Sequence, residues 1–117
     1  MMIRNFLEAD YKVASSHAGQ GEVHSVKLYH ESDFESSLRF LNYTVMPPGT
    51  SIGYHEHGDN EELYIILEGS GKMTVNGEVC TVKAGDAILN KRNWSHGLEN
   101  TGTEPLRILI YEADINS

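Results

Sequence analysis

Apolar and polar positions alternate in short runs along most of this chain, and almost nowhere repeat at helical spacing. Residues 23–29 (VHSVKLY), 38–46 (LRFLNYTVM), 63–68 (LYIILE) and 106–112 (LRILIYE) are rich in β-branched and aromatic side chains and bounded by turn residues. Shorter runs at 51–57, 72–75, 78–82, 87–90 and 96–99 fill the intervals. Pro47-Pro48-Gly49 ends the second run, since proline cannot donate to a sheet ladder. Asn76-Gly77 between two alternating runs predicts a hairpin closed by a type I′ turn. The reading gives about nine strands, a loop over residues 15–21, and at most a turn of helix near the N-terminus. Short strands with frequent glycine turns predict an all-β sandwich or barrel.

Bulk properties narrow this further. At 117 residues, with no linker or low-complexity stretch, residues 1–117 read as one domain that buries a core without disulfides. The single cysteine, Cys80, excludes an internal disulfide; its alternating strand makes it a small core filler. A net charge of −8 argues against nucleic acid as a partner. No run of eighteen apolar residues exists, and the first ten residues lack the apolar core of a signal peptide. The expectation is a cytoplasmic protein with no membrane partner.

The chemistry concentrates in one stretch. His55 and His57 sit two apart on an extended run, so both imidazoles face the same side. Gly58-Asp59-Asn60 then turns, and Glu61-Glu62 opens the strand that returns beside them. His96 lies in a later hairpin and reaches them only if the sheet curls over. Imidazoles with a carboxylate suit one divalent ion of Mn, Fe, Ni, Co or Zn, with coordination positions left open. His17, His24 and His30 fit no such spacing, and no nucleophile pattern or phosphate-binding loop stands out.

The spacing itself resembles a known family. Gly49, five residues, His55, one, His57, four, Glu62, six, Gly69 resembles the first conserved motif of the cupin superfamily. Gly85, ten residues, His96, three, Asn100 resembles the second, although Lys91 stands where the family has proline and Asn93 where it has glycine. Asparagine tolerates positive φ, so the latter change is mild. The resemblance covers Gly49 to Asn100 and implies a double-stranded β-helix, or jelly-roll barrel, with a metal inside. The family's ligands fall on His55, His57, Glu62 and His96. The gap to Gly69 and strand alternation favour Glu62 over Glu61.

A small cupin is also expected to form a homodimer and to chelate a small polar metabolite, as an enzyme or as a non-catalytic binding module. Parity turns Tyr64 and Ile66 to the same face as Glu62, which makes Tyr64 a candidate pocket residue. Tyr43, Tyr54 and Trp94 are placed at the mouth, with Arg39, Arg92 and Arg107 as candidate anchors for an acidic ligand.

Overall fold

Ten antiparallel strands form two sheets in the computed structural model, which describes residues 1–115. They are β1 (Lys12–Ala14), β2 (Val23–His30), β3 (Leu38–Met46), β4 (Ser51–Glu56) and β5 (Asn60–Glu68). After these come β6 (Ser70–Val75), β7 (Glu78–Lys83), β8 (Ala87–Asn90), β9 (Ser95–Glu99) and β10 (Leu106–Asp114). One sheet runs β1-β2-β3-β10-β5-β8 and the other β4-β9-β6-β7. This is the jelly-roll arrangement that the cupin resemblance implies. No described helix is long and apolar enough to cross a membrane.

The differences from the sequence reading are local. An extra strand, β1, precedes the first expected one, because Lys12–Ala14 adds to the edge of β2. Glu62 lies well inside β5 rather than at its start, since pairing with β10 extends that strand back to Asn60. Asn76 and Gly77 have φ of 48° and 80°, both positive as a type I′ turn requires. Asn93 takes φ 62°, the conformation its place in the second motif demands. Cys80 is exposed, which corrects its assignment to the core. It lies opposite buried Met73, but on β7, the sheet edge, where nothing covers it.

The core sits between the sheets and includes Met46, Ile52, Ile66, Met73, Leu98, Leu106 and Ile108. Along β10 the inward positions read Leu106, Ile108, Ile110, Glu112; along β5 they read Ile66, Tyr64, Glu62. Cross-strand register matches Ile108 to Ile66, Ile110 to Tyr64 and Glu112 to Glu62, with Asn90 of β8 beyond Glu62. The interior therefore passes from apolar to ionisable in three rungs. Burying polar groups is costly unless they are paired, so the polar end of the barrel must hold something that compensates them.

Candidate metal centre

Across from Glu62, β4 and β9 supply the imidazoles. His55 pairs directly with His96 in the antiparallel ladder, and His57 follows just beyond the end of β4. Between Ile52 and His55 the ladder slips, with Gly53 and Tyr54 of β4 against the single residue Gly97. That bulge shifts the side-chain phase, so buried Ile52 and the two histidines all turn inward although Ile52 and His55 are three apart. Gly97 opposite it lets the strands approach closely, since a Cβ there would sit a tight 3.1 Å from the Tyr54 backbone.

One donor atom from each of His55, His57, Glu62 and His96 lies within 4.8 Å of the others. His57 Nε2 and His96 Nε2 are 2.6 Å apart, and each is close to Glu62 Oε1, at 3.3 Å and 3.2 Å. His57, Glu62 and His96 are buried and His55 half-buried. The far nitrogens of two rings are committed elsewhere. His55 Nδ1 donates to the Gly53 carbonyl at 2.6 Å, and His57 Nδ1 donates to Asn60 Oδ1 at 2.8 Å. A carbonyl oxygen only accepts, so these contacts fix the tautomer and leave Nε2 unprotonated in a neutral ring. Such outer contacts are what hold metal-ligating histidines.

The electrostatics fit a divalent ion. Glu62 and Glu112 are buried neighbours on adjacent strands, an arrangement of like charges that destabilises a sheet unless a cation intervenes. His57 reaches both, with Nδ1 3.5 Å from Glu112 and Nε2 3.3 Å from Glu62, while the Arg39 guanidinium lies 3.8 Å from Glu112. Hydrogen bonds to Glu112 and Glu62 raise the His57 pKa to about 10. Burial pushes the Glu62 carboxyl up, but His57 and His96 outweigh it and bring the group to about 2. Burial lowers His55 to about 4, so its ring is neutral and ready to donate at pH 7. Without metal, the proton on His57 does part of the neutralising that an ion would do.

Sharing Glu62 with the donor group is a cavity of about 180 Å³, lined by polar Ser15, Ser25, Asn42 and Thr44 and by Tyr64, with Val23, Phe40, Ile52 and Ile110 as its apolar part. Burial and the neighbouring Glu62 carboxylate push the Tyr64 hydroxyl pKa well up, which keeps it an uncharged donor. Lys12 and His17 complete one wall.

Other candidates lie elsewhere. Tyr43 is buried on the outer face of the six-stranded sheet, stacked on Phe6 with ring centroids 4.1 Å apart, and accepts a hydrogen bond from Arg107. Its expected place at the mouth is corrected: its neighbours Asn42 and Thr44 are the ones that line the cavity. Trp94 is likewise not among the cavity-lining residues; its ring lies under Lys91, 5.7 Å from Nζ, while its backbone oxygen accepts from the His57 amide. Tyr54 points outward and is exposed. Arg39 pairs with Asp114 and Glu112, Arg92 with Asp59 and Arg107 with Glu68, and none lines this cavity. Glu112, Asn60 and His17 were missed by sequence reasoning. Parity along β10 carried a signal for Glu112; nothing periodic pointed to the other two.

Three imidazoles and a carboxylate gathered inside a jelly roll form a donor group that could hold a metal ion. The chain belongs to the cupin family: residues 42–111 match the Cupin domain. It is 32% identical over 109 residues to an oxalate-binding protein of Thermotoga maritima, covering 93% of this chain and 90% of that one. A solved structure from Thermotoga maritima, described as a predicted oxalate decarboxylase, superposes with a TM-score of 0.95 at 31% identity, covering 97% and 100% of the two chains. A glucose-6-phosphate isomerase of Pyrococcus abyssi is 32% identical over 106 residues, which span 79% of this chain but 56% of the isomerase.

Proposed function

We propose that the chain binds one divalent metal ion through His55, His57, Glu62 and His96 and uses it to hold a small carboxylic acid of oxalate size. The carrying observation is the convergence of those four donors, of which Glu62 also lines an adjoining cavity. An ion there would supply a Lewis-acid centre with coordination positions beyond the four protein donors. The residues around it do the rest. Asn42, Thr44 and the serines offer hydrogen bonds to ligand oxygens, Tyr64 offers a neutral O–H, and Lys12 is the one cationic side chain among the described lining residues. Charge balance favours a dianion. With Glu112 paired to Arg39, an ion of +2 and the ligating Glu62 leave +1, Lys12 raises this to +2, and a dianion brings the sum to zero.

Two comparisons bear on the ligand. The oxalate-binding relative matches along nearly its whole length, which supports a ligand of that class. A sugar phosphate is less well served, because no arginine is among the described residues that line the cavity. Among the described lining residues Glu62 is the sole carboxylate, and it is committed as a metal ligand, so no second carboxylic acid is there to protonate a nascent formate, and the site is read as binding rather than decarboxylating. The homodimer belongs to the same reading. Leu41, Tyr111, Leu63 and Leu89 lie in register across the outer face of the six-stranded sheet, an apolar stripe that a second copy would cover.

Calorimetric titration of cobalt-loaded protein with oxalate tests this, with acetate as the monocarboxylate control and bound metal assayed before and after. Oxalate is expected to bind at least about tenfold more tightly than acetate, to lose that affinity in metal-free protein, and to release no formate. Equal binding with and without metal would contradict the proposal. Formate accumulating with turnover would replace the binding role by a catalytic one.

A further inference from the structure

The backbone spends conformational strain at one place that the metal ligands do not explain. His17 and Ala18 have φ of 48° and 57°, consecutive non-glycine residues in the left-handed region. Such conformations cost free energy and persist only where the surroundings impose them. Here the surroundings are β4. Ser16 bridges to Ile52, and its carbonyl accepts from the amides of both Gly19 and Gly53, at 2.9 Å and 3.0 Å. The Ser51 amide donates to the Gln20 carbonyl at 3.0 Å, and the Gln20 amide donates to Ser51 Oγ at 2.8 Å. Two glycines make the docking possible: a Cβ on Gly53 would collide with the His17 carbonyl oxygen, and one on Gly19 with the Ser51 carbonyl oxygen.

The product of this clamp is a ring position. The His17 imidazole lies flat on His55, with centroids 3.5 Å apart and planes 6° from parallel. His55 is the least buried of the four metal-ligating side chains, and the other two imidazoles meet it at steep angles of 57° and 58°. Its Nδ1 contact with Gly53 holds one edge of the ring. The broad face is held by His17, which is not itself in the donor group.

We propose that His17 is a positioning residue for the metal centre, its stacked ring fixing the plane of His55 and hence the direction of His55 Nε2. The inference rests on the metal-binding reading above. Outer contacts of this kind alter metal affinity by about ten- to a hundredfold.

The test uses the full chain loaded with cobalt, reading affinity by chelator competition and coordination by visible absorption. His17→Ala should weaken cobalt binding about tenfold and change the intensity of the visible bands. His17→Phe restores a flat ring without nitrogen and should recover affinity to within about threefold of wild type. His17→Gly relieves the backbone strain, so its metal-free melting temperature should equal or exceed that of wild type while its cobalt affinity falls as in His17→Ala. Wild-type affinity and spectrum in His17→Ala would overturn the proposal. So would a His17→Phe variant as weak as His17→Ala, since a ring nitrogen and not the stacked face would then matter. Failure of the wild-type protein to bind cobalt at all would instead strike the metal-binding reading.

Discussion

Replacing His55 and His57 together with alanine should lower divalent-metal affinity by on the order of a thousandfold or more, while the far-UV circular dichroism keeps its β-sheet character. Two of the four donors disappear, and each ligand bond carries a substantial share of the binding free energy. The fold survives because these rings lie at the polar end of the barrel, outside the packed cluster of Met46, Ile66, Leu98, Leu106 and Ile108. Stability still falls in the metal-free variant. Glu62 and Glu112 lose the imidazole that stands between them, 3.3 Å from one and 3.5 Å from the other. A barrel that unfolds outright would make these rings structural. One that keeps the metal would show that the donor set is wrong.

Metal affinity should also rise steeply with pH, by about tenfold per unit from pH 6 to 8.5. The sign follows from His57. Glu112 and Glu62 raise its pKa to about 10 in the metal-free protein, so the ion must displace a proton throughout that range. Each unit of pH makes that displacement ten times easier. Histidines at their ordinary pKa near 6.5 would give a curve that flattens above pH 7.5. The metal-free protein runs the opposite way. A group whose pKa is raised on folding contributes stability that is complete below its unfolded pKa and lost as pH climbs through the folded value. The metal-free melting temperature should therefore decline from pH 6.5 toward pH 10. On the acid side, the lowered pKa of Glu62, about 2, makes its contribution complete above the unfolded value and lost as pH falls toward 2. His55, lowered to about 4 by burial, works in the same sense between pH 6.5 and 4. Competition with a chelator for cobalt, repeated across buffers, measures the first trend; thermal melts measure the second. A flat affinity from pH 6 to 8.5 would contradict the proton held on His57.

Alternation and turn chemistry made most of this barrel legible. Asn76-Gly77 announced its hairpin because few other pairs accept two positive φ angles in succession. The inward phase of β5 put Glu62, Tyr64 and Ile66 on one face, where they are found. What alternation does not fix is its own phase across an irregularity. His55 and His57 share a face as spacing implies, yet the bulge at Gly53-Tyr54 turns Ile52 inward with them. Tyr43 went astray for a related reason. It is buried not at the mouth but against Phe6 on the outside of the sheet, in a contact made by an irregular N-terminal segment. Glu112 needed knowledge of which strand lies beside β5. His17 needed a strained turn to be seen in place, since no period in the sequence carries it to His55. Cys80 depended on β7 being an edge.

Extended X-ray absorption at the metal edge of cobalt-loaded protein reads the central proposition directly. Three imidazole rings and at least one carboxylate oxygen should surround the ion at about 2.0–2.2 Å, with the multiple scattering characteristic of imidazole. A spectrum lacking imidazole scattering, or one dominated by sulfur, would mean that the ion sits somewhere other than between His55, His57, Glu62 and His96.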